Sequence, residues 1–153
     1  MTPTILSKPS LVDFLISQGI DFAKCTVMAP DVRYALPARD WIEREFAGAL
    51  QMFRDEQIAA YAPEDSDCDD YAECAAFFAR FLHRHTKDRP KHCGLAFAEW
   101  FYQQGGSGFG HVINAAVCMV NGELELVHFE PQPHGGIVTL TPAEILSTAM
   151  VKF

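Results

Sequence analysis

Basic surface is what this sequence has least of. Twelve Lys and Arg stand against 20 Asp and Glu, a net charge of −8, whereas a chain that tracks phosphates needs a basic patch. The longest basic feature, Arg80 to Lys91, is broken by acidic, aromatic and proline residues. Nucleic acid and anionic membrane are therefore excluded as expected partners. Met1 to Pro9 carries one Lys and no long apolar run, so no secretory signal or transit peptide is expected. Nothing reaches the roughly 18 apolar residues of a membrane span. The five cysteines, Cys25, Cys68, Cys74, Cys93 and Cys118, are odd in number and lack the even, clustered framework of a disulfide-stapled secreted domain. There is no C-x-x-C pair, no internal repeat and no low-complexity stretch. A cytoplasmic protein with reduced thiols is expected.

What the chain does have is core material, 49% hydrophobic residues with 12 Phe in a length of 153. That suits one domain over 1–153, read as a helical part, 1–61, followed by a helix and sheet part, 62–153. Ser10 opens a short helix with Leu11, Phe14 and Leu15 as its stripe and Gly19 as its stop. Asp21 to Pro37 holds two proline-centred turn signals and reads as a connection. From Ala38 to Tyr61, Trp41, Ile42, Phe46, Leu50 and Phe53 fall near a 3.6 period. After a break at Pro63 to Asp67, Ser66 or Asp67 caps the next helix. Its stripe is Tyr71, Ala75, Phe78 and Leu82, widened by Cys74, Phe77 and Phe81. Acidic residues open that helix and Arg80, His83, Arg84 and His85 close it, matching the dipole at both ends.

Past the polar loop Thr86 to His92 the texture changes to sheet. Gly94 to Gln104 reads as a strand, with a helical option over Leu95 to Phe101. His111 to Val120 and Glu123 to Glu130 flank Asn121-Gly122, a strong hairpin signal. A strand over Gly136 to Thr139 and a helix from Thr141 close the chain. The fold class expected is α+β, a helical amino-terminal half packed on an antiparallel sheet.

The hairpin carries geometry. With a two-residue turn Val120 faces Glu123, which places His111 opposite Gln132 and Ile113 opposite Glu130. Opposed residues share a face and the face alternates along a strand, so His111, Glu130 and Gln132 project from one side. A diagonal neighbour is roughly 7 Å away between backbones, and Glu130 can orient His111. Asn114 points the other way, unless a bulge intervenes.

Cys68 sits among carboxylates at a helix start, in Glu64-Asp65-Ser66-Asp67-Cys68-Asp69-Asp70. A helix amino terminus stabilises a thiolate, a nearby imidazole completes an ion pair, and a carboxylate behind it holds the tautomer. Cys68, His111 and Glu130 offer these roles. Asp67, Asp69 and Asp70 oppose them. A unit charge about 6 Å away at an effective dielectric near 20 costs nearly 3 kcal/mol, more than the helix-terminus gain of at most about 2. A cation is one answer to that charge. Glu64, Asp67 and Asp69 offer carboxylate oxygens and Gln132 an amide oxygen, which is calcium-like or manganese-like chemistry. Capping alone also explains an acidic helix start. His83, His85 and His92 with Cys93 raise zinc, against the lack of paired thiols.

In these residues the chain resembles the papain-like and transglutaminase-like cysteine peptidase superfamily, through Asp67-Cys68-Asp69-Asp70-Tyr71-Ala72, Gly110-His111-Val112-Ile113-Asn114 and Phe129-Glu130-Pro131-Gln132. The Cys-Asp pair and Glu-Pro-Gln look closest to the carboxy-terminal protease domain of the Marasmius-type mushroom agglutinin and its stand-alone microbial and phage relatives. The resemblance covers about Glu64 to Gln132 and implies a papain-like fold with the nucleophile at a helix amino terminus. It implies a cysteine peptidase with Cys68 as nucleophile, His111 as base and Glu130 as its orienting group, acting on a peptide or protein substrate. It further implies calcium or manganese at Asp69 and Gln132, and a homodimer. A transglutaminase-like acyltransferase and a non-catalytic metal-binding or partner-binding module are the alternatives.

Overall fold

The computed structural model describes residues 4–57, 67–87, 89–105 and 109–153. The chain forms β1 (Ile5–Ser7), α1 (Lys8–Ser17), β2 (Thr26–Met28) and β3 (Arg33–Ala35). A π-helical segment, Trp41–Phe46, then runs into α2 (Ala47–Gln57) and is followed by α3 (Cys68–His85). After α3 come β4 (Gly94–Leu95), β5 (Phe97–Gln104), β6 (Phe109–Val120), β7 (Glu123–Phe129) and β8 (Ile137–Val138). The short α4 (Pro142–Leu146) and β9 (Met150–Lys152) end the chain. The expected α+β class holds, with sheets that are mostly antiparallel.

Local chemistry explains most boundaries. Ser7, not Ser10, caps α1, and its side chain accepts from the Ser10 N–H. Pro9 thereby falls in the first turn, where a missing N–H costs nothing. Asp67 caps α3 in a reciprocal box with Asp70; Ser66, the other capping option, lies outside the described residues, as do 58–61 of the second expected helix. Asn121 and Gly122 both take positive φ, 52° and 89°, the backbone that a tight two-residue hairpin demands. Pairing runs in the expected register from Val120↔Glu123 to Asn114↔Phe129.

The amino-terminal half is less helical than expected. Asp21 to Pro37 contains β2 and β3: β2 pairs in parallel with β9, and β3 lies between β1 and β4. Strands of three residues are too short for a period to declare itself. The larger sheet has the order β2-β9-β5-β6-β7-β8. One face packs Ile113 and Val117 of β6 and Trp100 of β5 with Leu11 and Leu15 of α1. The other packs Ala116, Cys118, Phe97 and Phe129 with Ile42, Phe46, Leu50 and the alanines of α3.

The buried stripe of α3 is Tyr71, Ala72, Ala75, Ala76 and Ala79. Phe77 and Phe81, expected to widen it, are 60% and 45% exposed. Small side chains let the helix approach the sheet closely, so β6 selects alanine where the sequence pattern favours the phenylalanines. Buried Asn114 on β6 fastens the contact, donating from Nδ2 to the carbonyls of Ala72 at 2.9 Å and Ala98 at 3.2 Å. No described helix is long and apolar enough to cross a membrane.

The opposite face holds a pH-sensitive element. His128 is buried with its ring edge-on to Trp100 at 4.9 Å, and burial pulls its pKa down to about 4. The folded state keeps this imidazole neutral while the unfolded chain protonates near 6.5. Its contribution is therefore complete above about pH 6.5 and is lost as pH falls toward 4, by about 3 kcal/mol. Urea unfolding followed from about pH 7 to about pH 4.5 should show that slope, and His128→Phe should flatten it.

Candidate functional site

Three elements converge at one end of the larger sheet: the start of α3, the start of β6 and the corner after β7. The ladder between β6 and β7 ends at Asn114↔Phe129, and the chain then turns tightly. Glu130 N–H donates to Gly136 O at 2.8 Å, Gly135 N–H donates to Gln132 O at 2.9 Å, and Gln132 N–H donates to Glu130 Oε1 at 3.1 Å. Arg54 of α2, 7% exposed, reaches under the corner and donates from Nη1 to Pro131 O. Glu130 is thus held on both sides. Its Oε2 accepts from His111 Nε2 at 2.8 Å, and the His111 ring stands edge-on to Tyr102 at 5.7 Å.

Cys68, His111, Glu130 and Gln132 line one open cleft of about 590 Å³, with Gln104, Phe109 and His134. The walls mix polar side chains with the apolar Phe109, which is 77% exposed, and Pro133. Ligating atoms of Asp67, Cys68 and Asp69 lie within 4.8 Å of one another. Glu64, the remaining expected metal ligand, lies outside the described residues. The histidines considered for zinc do not gather: among the described residues the acidic group at Cys68 forms the sole cluster of three, and His85 Nδ1 is spent on Phe81 O at 2.8 Å.

The electrostatics disfavour a reactive thiol. Burial pushes the Cys68 pKa up first, and the charges of Asp67 and Asp69 push it further. The N–H groups of Val112 and of Cys68 itself pull the other way without reversing the shift. Among the described residues Cys68 makes no hydrogen bond to the His111 imidazole, and no ion pair reaches Asp67, Asp69 or Asp70. Asp69 answers that repulsion by holding its proton more tightly, chiefly through its hydrogen bond with the Asp67 carboxyl.

Several of these residues were not visible in the sequence. Arg54 and Gly135 carry no local signal for the cleft, and Gln104 stands at the end of the strand expected over Gly94 to Gln104. Gln51 lines a smaller neighbouring cavity with Arg54.

The fold and site define a small α+β domain with a polar cleft at the end of its sheet. No family model and no curated protein matches the sequence. Two solved structures share the fold. One, titled as a complex of PSL1a with E64, superposes with a TM-score of 0.72 at 16% identity, over 97% of this chain and 50% of that one. The other is the lectin of Polyporus squamosus bound to the human-type influenza-binding epitope Neu5Acα2-6Galβ1-4GlcNAc, with a TM-score of 0.70 at 18% identity, over 97% of this chain and 49% of that one. The chain spans about half the length of each.

These neighbours correct the family expectation. The fold is shared with about half of a structure titled as a lectin with a bound glycan and about half of one titled as a complex with E64. The cysteine peptidase resemblance, the peptidase activity with its peptide substrate, and the acyltransferase alternative are withdrawn on these neighbours.

Proposed function

We propose that residues 1–153 act as one non-catalytic binding module whose cleft takes a carbohydrate beside a divalent cation. The observation that carries this reading is the composition of the cleft: imidazole, carboxylate and amide groups on Cys68's neighbours, with exposed Phe109 at the mouth. Amides and carboxylates exchange hydrogen bonds with sugar hydroxyls, and an aromatic face covers the apolar side of a pyranose; sites for small ligands combine these features. The papain-like placement expected of Cys68, at the start of a helix beside β6, belongs to this reading as one wall of the cleft.

Asp67, Asp69 and Gln132 suit calcium or manganese, which prefer oxygen donors. Neither carboxyl group has a positive partner among the described residues, and the Asp67 carboxyl beside it raises the Asp69 pKa. A cation there would supply positive charge to an acidic rim. The carboxylate of a sialylated glycan would otherwise meet Asp67, Asp69 and Glu130 as like charges.

The test is calorimetric titration with Neu5Acα2-6Galβ1-4GlcNAc in calcium, in manganese and after chelation, with melting curves alongside. Saturable binding is expected with either cation, weakened roughly tenfold by Gln132→Ala. Cation at about 100 times its Kd should add about 2.7 kcal/mol, roughly 5–10 °C for a chain of this size, and Asp69→Ala should abolish the rise. No saturable glycan binding in any condition overturns the proposal. So does an intact-mass gain on Cys68 after incubation with E64, since a covalent adduct would return the thiol to chemistry.

A further inference from the structure

A second cavity, of about 370 Å³, lies at the far end of α3, about 25 Å along the helix from Cys68 at 1.5 Å per residue. Its floor is apolar: Leu36 and Leu95 are buried, and Trp41 and Pro90 form the sides. Its polar edge comes from the end of α3 and the loop beyond, with His83 and Arg89. The helix carbonyls there are already served, because Thr86 N–H donates to His83 O at 3.2 Å and Thr86 Oγ1 donates to Leu82 O at 3.0 Å. Arg89 makes no ion pair among the described residues. His83 Nε2 is buried with no hydrogen-bond partner among the described residues. A buried polar atom without a partner is destabilising, so a ligand atom that reaches it gains that relief.

We infer that this cavity is a binding site for a small organic monocarboxylate, its aromatic or branched apolar body against Trp41, Leu36 and Leu95 and its carboxylate between Arg89 and His83. Charge selects the acid over an amine, because Arg84 and Arg89 both bear on the His83 ring. Burial, Arg89 and Arg84 in that order lower the His83 pKa, which keeps the imidazole neutral and able to donate one N–H. The apolar floor selects an organic acid over inorganic phosphate. The site shares no residue with the glycan cleft and does not depend on that reading.

The probe is 4-phenylbutyrate, followed by tryptophan fluorescence and calorimetry, with 4-phenylbutanol as the uncharged match. Trp41 lines the cavity and Trp100 is fully buried elsewhere, so a fluorescence change lost in Trp41→Phe locates the ligand. The acid should bind roughly tenfold more tightly than the alcohol, and Arg89→Gln should bring the two together. Gln132→Ala, which disables the glycan cleft, should leave phenylbutyrate binding unchanged, and melting curves report whether each variant is folded. Absence of saturable binding, equal binding of acid and alcohol in the native chain, or indifference to Arg89→Gln in a folded variant overturns the inference.

Discussion

Phe46→Ala is expected to cost about 4 kcal/mol, the usual range for truncating a buried aromatic being about 3–5. Its melting temperature should fall by roughly 10 °C for a chain of this size. Phe46 is fully buried and packs against rings from α3, β5 and β7 at once. Its ring lies 5.1 Å from Trp41, 5.1 Å from Phe97 of β5, 5.6 Å from Phe129 of β7 and 6.2 Å from Phe78 of α3. The π-helical segment gives it this position: the Ala47 N–H bonds back to Ile42 O, so the wider turn shifts Phe46 relative to the α-helical phase of Leu50. Alanine would leave a void bounded by a sheet and two helices that cannot all close in. Urea unfolding measures the loss. A cost below about 1.5 kcal/mol would mean that the surrounding rings relax into the space.

Gly135→Ala is expected to dismantle the cleft while sparing most of the core. A Cβ at this position would run into the carbonyl oxygen of Glu130 and stand 2.8 Å from Glu130 Cγ and 2.9 Å from Gln132 O. Two of these three atoms are backbone, so the corner itself must move. The corner positions Glu130 against His111 and Gln132 along the cleft wall. Gly135 is exposed, so the displacement is expected to fall on the corner rather than on the core. The more telling readout is the His111 ring, whose NMR resonances should move once the 2.8 Å contact with Glu130 is lost. Gly136→Ala is the control, since nothing lies within 4 Å of a Cβ there. Unmoved His111 resonances in Gly135→Ala would show that the corner keeps Glu130 in place without Gly135.

The site was legible wherever it followed from a local repeat. Asn121-Gly122 set the hairpin register, and that register placed Glu130 within reach of His111, a contact found at 2.8 Å. Asn114 was correctly turned away from the imidazole, yet its role in binding α3 through the Ala72 carbonyl could not be read, because it depends on how closely the helix approaches. Arg54 is the same case: its partner, Pro131 O, is 77 residues away. The chemistry inferred from the cysteine was corrected for a related reason. A helix start and a neighbouring histidine are pattern features, but a thiol's pKa is the balance of burial, amide donors and carboxylate charge, and that balance raises it.

What the sequence determined by itself was therefore short in range: the cap and span of α3, the Asn-Gly turn, the strand register and the acidic excess. Each depends on propensities and periods that operate over a few residues. Tertiary structure alone decided that β2 and β9 pair across more than 120 residues, that alanines rather than phenylalanines of α3 face the sheet, and that two cavities of different character lie at the two ends of that helix. Those outcomes follow from packing, where the gain from burying a side chain depends on what arrives from elsewhere in the chain to cover it.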